Sequence, residues 1–79
     1  MANLGTWVVD TQGEYEKISE ITGIEFEAGK TYTMQVVYNA YIREGEEGEG
    51  FDVGSKPFQY TAGSEDLYIK GKCRINIAE

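Results

Sequence analysis

Residues 31–42, TYTMQVVYNAYI, decide the fold class of this chain. Every even-numbered position from Tyr32 to Ile42 is apolar or aromatic, whereas the odd-numbered positions mix polar and apolar residues. Because successive side chains of a β-strand point to opposite faces, this alternation predicts a strand with one face on a core. The threonines, valines and tyrosines also favour a strand over a helix. The run is long for a single strand, so we expect a bulge or a bend within it.

A second alternating run lies at residues 67–77, LYIKGKCRINI. Leu67 and Ile69 alternate with polar or aromatic neighbours, and the apolar positions resume at Cys73. The intervening Gly71 and Lys72 predict a tight turn or a bulge. Together the two runs predict a core composed of Met34, Val36, Tyr38, Ile69, Ile75 and Ile77.

The remaining segments supply shorter strands and turns. Residues 24–28 alternate and lead into a turn at 28–30, which predicts a hairpin with the long strand. Trp7 and Val9 share one face of an N-terminal strand, opposite Val8. Residues 14–21 are compatible with a weak strand or one helical turn. We therefore predict a single all-β domain over residues 1–79, a compact antiparallel β-sandwich or small barrel of about six to seven short strands.

The chain carries no covalent means of stabilising so small a domain. It has 79 residues, one cysteine and no histidine, which excludes an internal disulfide and argues against a structural zinc site. Domains of this size usually need a disulfide, a metal or a partner subunit. Assembly into a homo-oligomer or a larger particle is the remaining route, and we expect it here.

The charge balance argues against a nucleic-acid partner. Fourteen acids face seven bases, giving a net charge of −7, and only Lys70, Lys72 and Arg74 are clustered. A nucleic-acid-binding protein needs a concentrated basic face. No signal peptide or membrane-length apolar run is visible, so we expect no membrane partner. A single cysteine is compatible with synthesis in a reducing cytoplasm.

No catalytic or cofactor motif is present, and we predict that the protein is not an enzyme and holds no cofactor. Cys73 lies on an apolar strand face, which favours a buried structural thiol over a nucleophile. Its neighbours Lys72 and Arg74 are predicted on the other face. The acidic loop from Glu44 to Gly50 is the one candidate calcium site, but its spacing does not match an EF-hand. We interpret this loop as a solvated, mobile hairpin tip, and whether it binds an ion stays open.

A second apolar surface is predicted on the polar side of the strands. Tyr41 and Tyr68 fall on the face opposite their apolar neighbours, and Val37 falls beside Tyr41. Cross-strand pairing on a half-exposed sheet is the simplest interpretation of these tyrosines. An apolar second face would instead indicate an interface. The candidate interface residues are Trp7, Val37, Tyr41 and Tyr68.

Several segments resemble small structural proteins of tailed bacteriophages. The likeness lies in residues 57–63 (PFQYTAG), 66–70 (DLYIK) and 75–79 (INIAE), with weaker similarity at 5–7 (GTW) and 29–32 (GKTY). These are strand and turn residues, and they carry no catalytic motif. The resemblance implies a virion component, such as a capsid decoration, head-fibre or tail-associated subunit, made in the host cytoplasm and assembled in multiple copies.

Two other functions stay open from the sequence. One is an adhesion module that binds carbohydrate or a host surface, which would need exposed aromatics on one face. The other is an acidic mimic of nucleic acid that inhibits a DNA-binding enzyme, which would need carboxylates arrayed on one surface. The acids here are dispersed over strands and one loop, so the virion role is the leading hypothesis.

Overall fold

A computed structural model describes residues 2–46, 50–52, 54 and 56–79. The described residues form one antiparallel sheet of six strands with a single short helix, which confirms the predicted all-β class. In chain order the elements are β1 (Asn3–Asp10), β2 (Glu16–Lys17), α1 (Ile18–Thr22), β3 (Thr31–Glu44), β4 (Phe51–Asp52), β5 (Phe58–Thr61) and β6 (Leu67–Ala78).

The central strand of the sheet is β6, although it follows all the others in sequence. It pairs with β3 along its whole length, from Thr33 opposite Ala78 to Glu44 opposite Leu67. On its other edge, Tyr68 and Ile69 near the start of β6 pair with β2, and the residues from Lys72 to Ala78 pair with β1. The far edge of β3 pairs with β5 and β4. The architecture is therefore one sheet four strands wide, with a divided strand at each edge.

The gap between β1 and β2 is closed by a threonine side chain. Thr11 is buried, and its Oγ1 accepts a hydrogen bond from the Gly71 amide at 2.9 Å. The Thr11 amide donates in turn to the Gly71 carbonyl at 3.2 Å. These bonds satisfy the amide and carbonyl of Gly71 at the point where β6 has no neighbouring strand on that edge. Buried backbone groups require such partners. The predicted turn or bulge at Gly71 is wrong, since β6 runs through it in unbroken register with β3.

One face of the sheet carries the core, which α1 and residues 23–27 cover. Among the predicted core residues, Met34, Val36, Ile69, Ile75 and Ile77 are each no more than 1% exposed, so these predictions are confirmed. The other buried members of the cluster are Val9, Ile18, Tyr32, Ala40, Ile42, Tyr60, Ala62, Leu67 and Cys73.

The sixth core prediction, Tyr38, is wrong. Its side chain is 68% exposed, although Val36 before it and Ala40 after it are buried. Its φ is +81°, a left-handed conformation that turns the side chain out of the strand's normal alternation. The pairing with β6 keeps the same register on both sides. The irregularity expected in this long run is therefore one left-handed residue without a register shift.

The predicted hairpin strand at residues 24–28 is also wrong, although the turn at 28–29 is present. Residues 23–27 cross the core without forming a strand. Phe26 packs edge-on against Tyr32 and Tyr60, with ring centroids 5.0 and 6.1 Å apart. The Glu27 amide donates to the Tyr32 hydroxyl at 2.9 Å. The Tyr32 hydroxyl thus accepts the hydrogen bond of a backbone amide that the sequence pattern assigned to a β-sheet.

Candidate functional site

The candidate functional site is the outer face, which we define as the side of β1, β6 and β3 that points away from the core. Strand pairing arranges its residues in rows across the three strands. One row contains Val8, Arg74 and Val37, and a later row pairs Lys70 with Tyr41. Because β6 is flanked on both sides, its outward residues lie in the middle of this face.

Exposed apolar side chains are concentrated on the outer face. Val8 is 82% exposed, Tyr38 68% and Tyr41 46%, and these are the large apolar side chains that lie exposed among the described residues. Val8 and Tyr38 line a shallow, mainly apolar depression together with Lys72 and Arg74. Single exposed apolar residues are ordinary, but a group on one face marks an interaction surface.

The outer face is also basic. Arg43, Lys70, Lys72 and Arg74, four of the seven bases in the chain, belong to the outward rows of β3 and β6. Among the residues whose side chains are described, the one acid in the same rows is Asp10, opposite Lys72. The chain as a whole carries a net charge of −7. Strand pairing therefore gathers four bases on one face of an acidic protein, where Asp10 and the Glu46 carboxylate beside Tyr68 balance part of their charge.

Two of these bases are held against aromatic rings at one end of the face. The Arg43 guanidinium carbon lies 3.9 Å from the Tyr15 ring centroid, and the Lys70 Nζ lies 4.8 Å from the same ring. Lys70 also lies 5.5 Å from the Tyr41 ring. Such cation–π contacts fix long basic side chains over the sheet. The Arg43 Nε is buried without a hydrogen-bond partner within the described structure.

Tyr68 lies in this cluster but is not exposed. Only 8% of it is accessible, and its hydroxyl donates to the Glu46 carboxylate at 3.3 Å. Burial, followed by the nearby negative charge of Glu46, raises the pKa of the Tyr68 phenol. Tyr68 lies on the predicted side of the sheet, and it is covered there by groups such as Arg43, whose guanidinium carbon lies 5.6 Å from its ring centroid.

The four candidate interface residues do not come together. Val37 and Tyr41 lie on the outer face, and Tyr68 shares that face but is buried. Trp7 packs against the core on the other side of the sheet, with its ring over Gly5. Whether any of the four forms an interface stays a prediction.

Sequence reasoning missed Val8 and Tyr38, the two most exposed members of the face. The signal for Val8 was present, because alternation places it opposite Trp7 and Val9. No local signal marks Tyr38, since its outward position follows from its backbone conformation. The predicted outward placement of Lys72 and Arg74 is in agreement with the structure.

Cys73 and the acidic residues are the side chains that sequence reasoning considered for catalysis or metal binding. Cys73 is buried, and burial raises the pKa of its thiol, which disfavours the reactive thiolate. Within residues 2–46, 50–52, 54 and 56–79, no three His, Cys, Asp or Glu residues are grouped to hold a metal. In the acidic loop, residues 47–49 lie outside the described residues. No helix in the described part of the chain has the length and apolarity to cross a membrane.

Comparison of the chain with protein-family models, with curated proteins and with solved structures found no match. The resemblance of its strand and turn segments to phage structural proteins therefore stays a prediction. What this chain does must be inferred from its own residues and surfaces, of which the outer face is the most distinctive.

Proposed function

We propose that this protein is a non-catalytic structural subunit of a phage virion, present in multiple copies and held in place by its outer face. The observation that carries the proposal is the group of exposed apolar side chains, Val8, Tyr38 and Tyr41, on one side of a small domain. Full burial of a single valine contributes about 1.5–3 kcal/mol. A partner that covers this face would therefore add substantially to the stability of the domain.

The backbone of Tyr38 supports an interaction role for the same face. A left-handed conformation at a non-glycine residue costs roughly 1–2 kcal/mol, and here it presents a tyrosine to solvent. The fold gains little from an exposed ring, so the strain is not repaid within the monomer. Strain of this kind clusters at functional positions. We interpret Tyr38 as a side chain held outward for a partner.

The need for a partner also follows from the size of the domain. The free energy of unfolding is typically about 0.05–0.15 kcal/mol per residue, so a short chain has little stability in total. This chain has 79 residues, and its one cysteine cannot add an internal disulfide. Association stabilises a folded subunit by mass action. A multi-copy particle supplies such association, and the phage-like segments indicate which kind of particle it is.

A carbohydrate-binding adhesion module is the second candidate. Tyr38 and Tyr41 offer exposed aromatic rings, and Lys70 beside Tyr41 offers hydrogen-bond donors. Against it, the depression at Val8 is shallow and few polar groups converge there, whereas small-molecule sites are usually concave. The third candidate, a nucleic-acid mimic, gains nothing from a basic face.

The test is to purify the particle from the source phage and to quantify this chain by mass spectrometry before and after a high-salt wash. We expect stoichiometric retention, because apolar contacts resist the screening that weakens exposed charge pairs. Tyr38→Ser with Val8→Ser should abolish incorporation, whereas Gln59→Ala, an exposed change on β5, should not. Absence of the chain from the particle would refute the proposal. Glycan binding that is lost in the double variant would favour the adhesion module.

A further inference from the structure

We infer that the outer face docks onto the acidic, helical side of a second copy of this chain, so that copies associate head to tail. The inference rests on the proposed multi-copy function and names the partner of the same face. It follows from the distribution of charge over the two sides of the sheet.

A symmetric, face-to-face dimer is disfavoured by the bases of the outer face. A two-fold axis would bring the stripe of Lys70, Lys72 and Arg74 close to the same stripe of the partner. Like charges placed together across an interface cost several kcal/mol. Asp10 and Glu46, the acids that lie beside them among the described side chains, are fewer than these bases. The face therefore fits a partner surface that is apolar at its centre and acidic at its rim.

The opposite side of the protein has this character. An open groove runs between α1, residues 23–26 and residues 62–67, on the core side of the sheet. The exposed acids Glu20, Glu25, Glu65 and Asp66 line it, and no lysine or arginine is found among its described lining residues. Lys17 lies 3.4 Å from Asp66 and partly balances that one carboxylate.

Apolar side chains also line this acidic groove. Ile24 and Phe26 are half-buried and Tyr60 is buried in its lining. A projecting apolar pair such as Val8 and Tyr38 would find both apolar contacts and surrounding carboxylates. The apolar contacts would supply most of the affinity, while the charges would set the orientation and exclude the symmetric arrangement.

This arrangement uses two different surfaces on opposite sides of each subunit. Contacts of this heterologous kind produce a ring if the rotation closes and an open row if it does not. An open row would then offer one free face at one end and one free groove at the other, until it closes or meets another component.

The test uses two charge-reversed variants and analytical ultracentrifugation. The face variant is Lys72→Glu with Arg74→Glu, and the groove variant is Glu20→Lys with Glu25→Lys. All four positions are exposed, so both variants should fold, and circular dichroism with thermal melting checks this. The wild-type protein should form oligomers larger than dimers as its concentration rises. Each variant alone should stay monomeric.

The mixture of the two variants decides the matter. The groove variant keeps an intact face and the face variant keeps an intact groove, and the two reversed surfaces again carry opposite charges. An equimolar mixture should therefore form alternating oligomers larger than a dimer. A single charge reversal away from both surfaces, Lys56→Glu, should associate like the wild type. Oligomers formed by the groove variant alone, or a mixture that stays monomeric, would overturn the inference.

The outcomes separate this inference from the proposed function. A wild-type chain that is monomeric at all concentrations but is retained in the phage particle would overturn head-to-tail docking and leave the virion role standing. Head-to-tail oligomers of a chain that is absent from the particle would do the reverse.

Discussion

Replacing Ile75 with alanine tests the placement of the core more directly than any other change. Ile75 is 1% exposed on the central strand, and it lies between Trp7 of β1 and Val36 of β3. The truncation would leave a cavity where three strands meet, and the paired strands on both sides limit how far the site can collapse. Such truncations cost about 2–5 kcal/mol.

That cost is large compared with the stability of the whole domain. A typical value of 0.05–0.15 kcal/mol per residue gives roughly 4–12 kcal/mol for this chain. In domains of this size, 1 kcal/mol lowers the melting temperature by about 4–8 °C. A loss near 3 kcal/mol therefore predicts a fall of about 12–24 °C for Ile75→Ala.

The assay is thermal and urea unfolding, followed by the fluorescence of Trp7, the single tryptophan, which pairs with Ile75. Low protein concentration keeps association from contributing to the measured stability. Val8→Ala is the matched control, because it truncates an aliphatic side chain on the outer face and should change stability by less than about 0.5 kcal/mol. If Ile75→Ala melts within a few degrees of the control, the assignment of the inner face is refuted.

Four further changes probe separate features. Gly5 has φ +145°, and an added Cβ would lie 3.0 Å from the Trp7 ring, so Gly5→Ala should lower the melting temperature by several degrees. Gly63→Ala is the control and should leave the melting temperature unchanged, because the space around Gly63 is open. Thr11→Val removes the buried acceptor of the Gly71 amide and should cost about 1–3 kcal/mol by urea unfolding, while Thr11→Ser should cost less. Burial raises the pKa of the Cys73 thiol, so the folded state favours the neutral thiol. The stability contributed by this group should be complete below about pH 8.5 and should decline as the pH rises toward the folded-state pKa. Urea unfolding measured from pH 7 to 10 should show that Cys73→Ala removes this part of the pH dependence. Calorimetric titration of calcium into the wild-type protein should show no binding in the micromolar range. Micromolar binding that disappears when the acidic loop is deleted would contradict our interpretation of that loop.

The sequence pattern predicted most of the core because β3 and β6 pair in one unbroken register. Along such a pair, the alternation of Met34 and Val36 on one strand faces that of Ile75 and Ile77 on the other. The same side of both strands is buried along the pair, so a period of two identifies the core without knowledge of the topology.

The failures occurred where contacts between distant residues or a single backbone angle decide exposure. Tyr38 fits the alternation, but its positive φ turns it outward. Tyr68 falls on the outward side, but Arg43 and the Glu46 carboxylate lie over it. Neither effect leaves a trace in the local pattern, because one depends on a torsion and the other on residues far away in sequence.

The charge of the candidate site was hidden for a related reason. In the sequence, Arg43 stands apart from Lys70 and its basic neighbours, and the bases look scattered. Antiparallel pairing places Tyr41 beside Lys70 and Arg43 beside Tyr68, which gathers them on one face. Knowing which strands are neighbours is therefore necessary before the electrostatics of this chain can be predicted.

The position of β6 has a consequence for how the protein is made. Both β1 and β3 find their main partner in a strand that the ribosome synthesises after them. At the usual 5–20 residues per second, β1 waits roughly 3–12 s before β6 exists. Until β6 is available, β1 and, once it has been made, β3 have unpaired edges and uncovered apolar sides, which are features that promote aggregation of nascent chains. A chaperone that shields the edges of β1 and β3 until β6 is available would therefore raise the yield of folded protein.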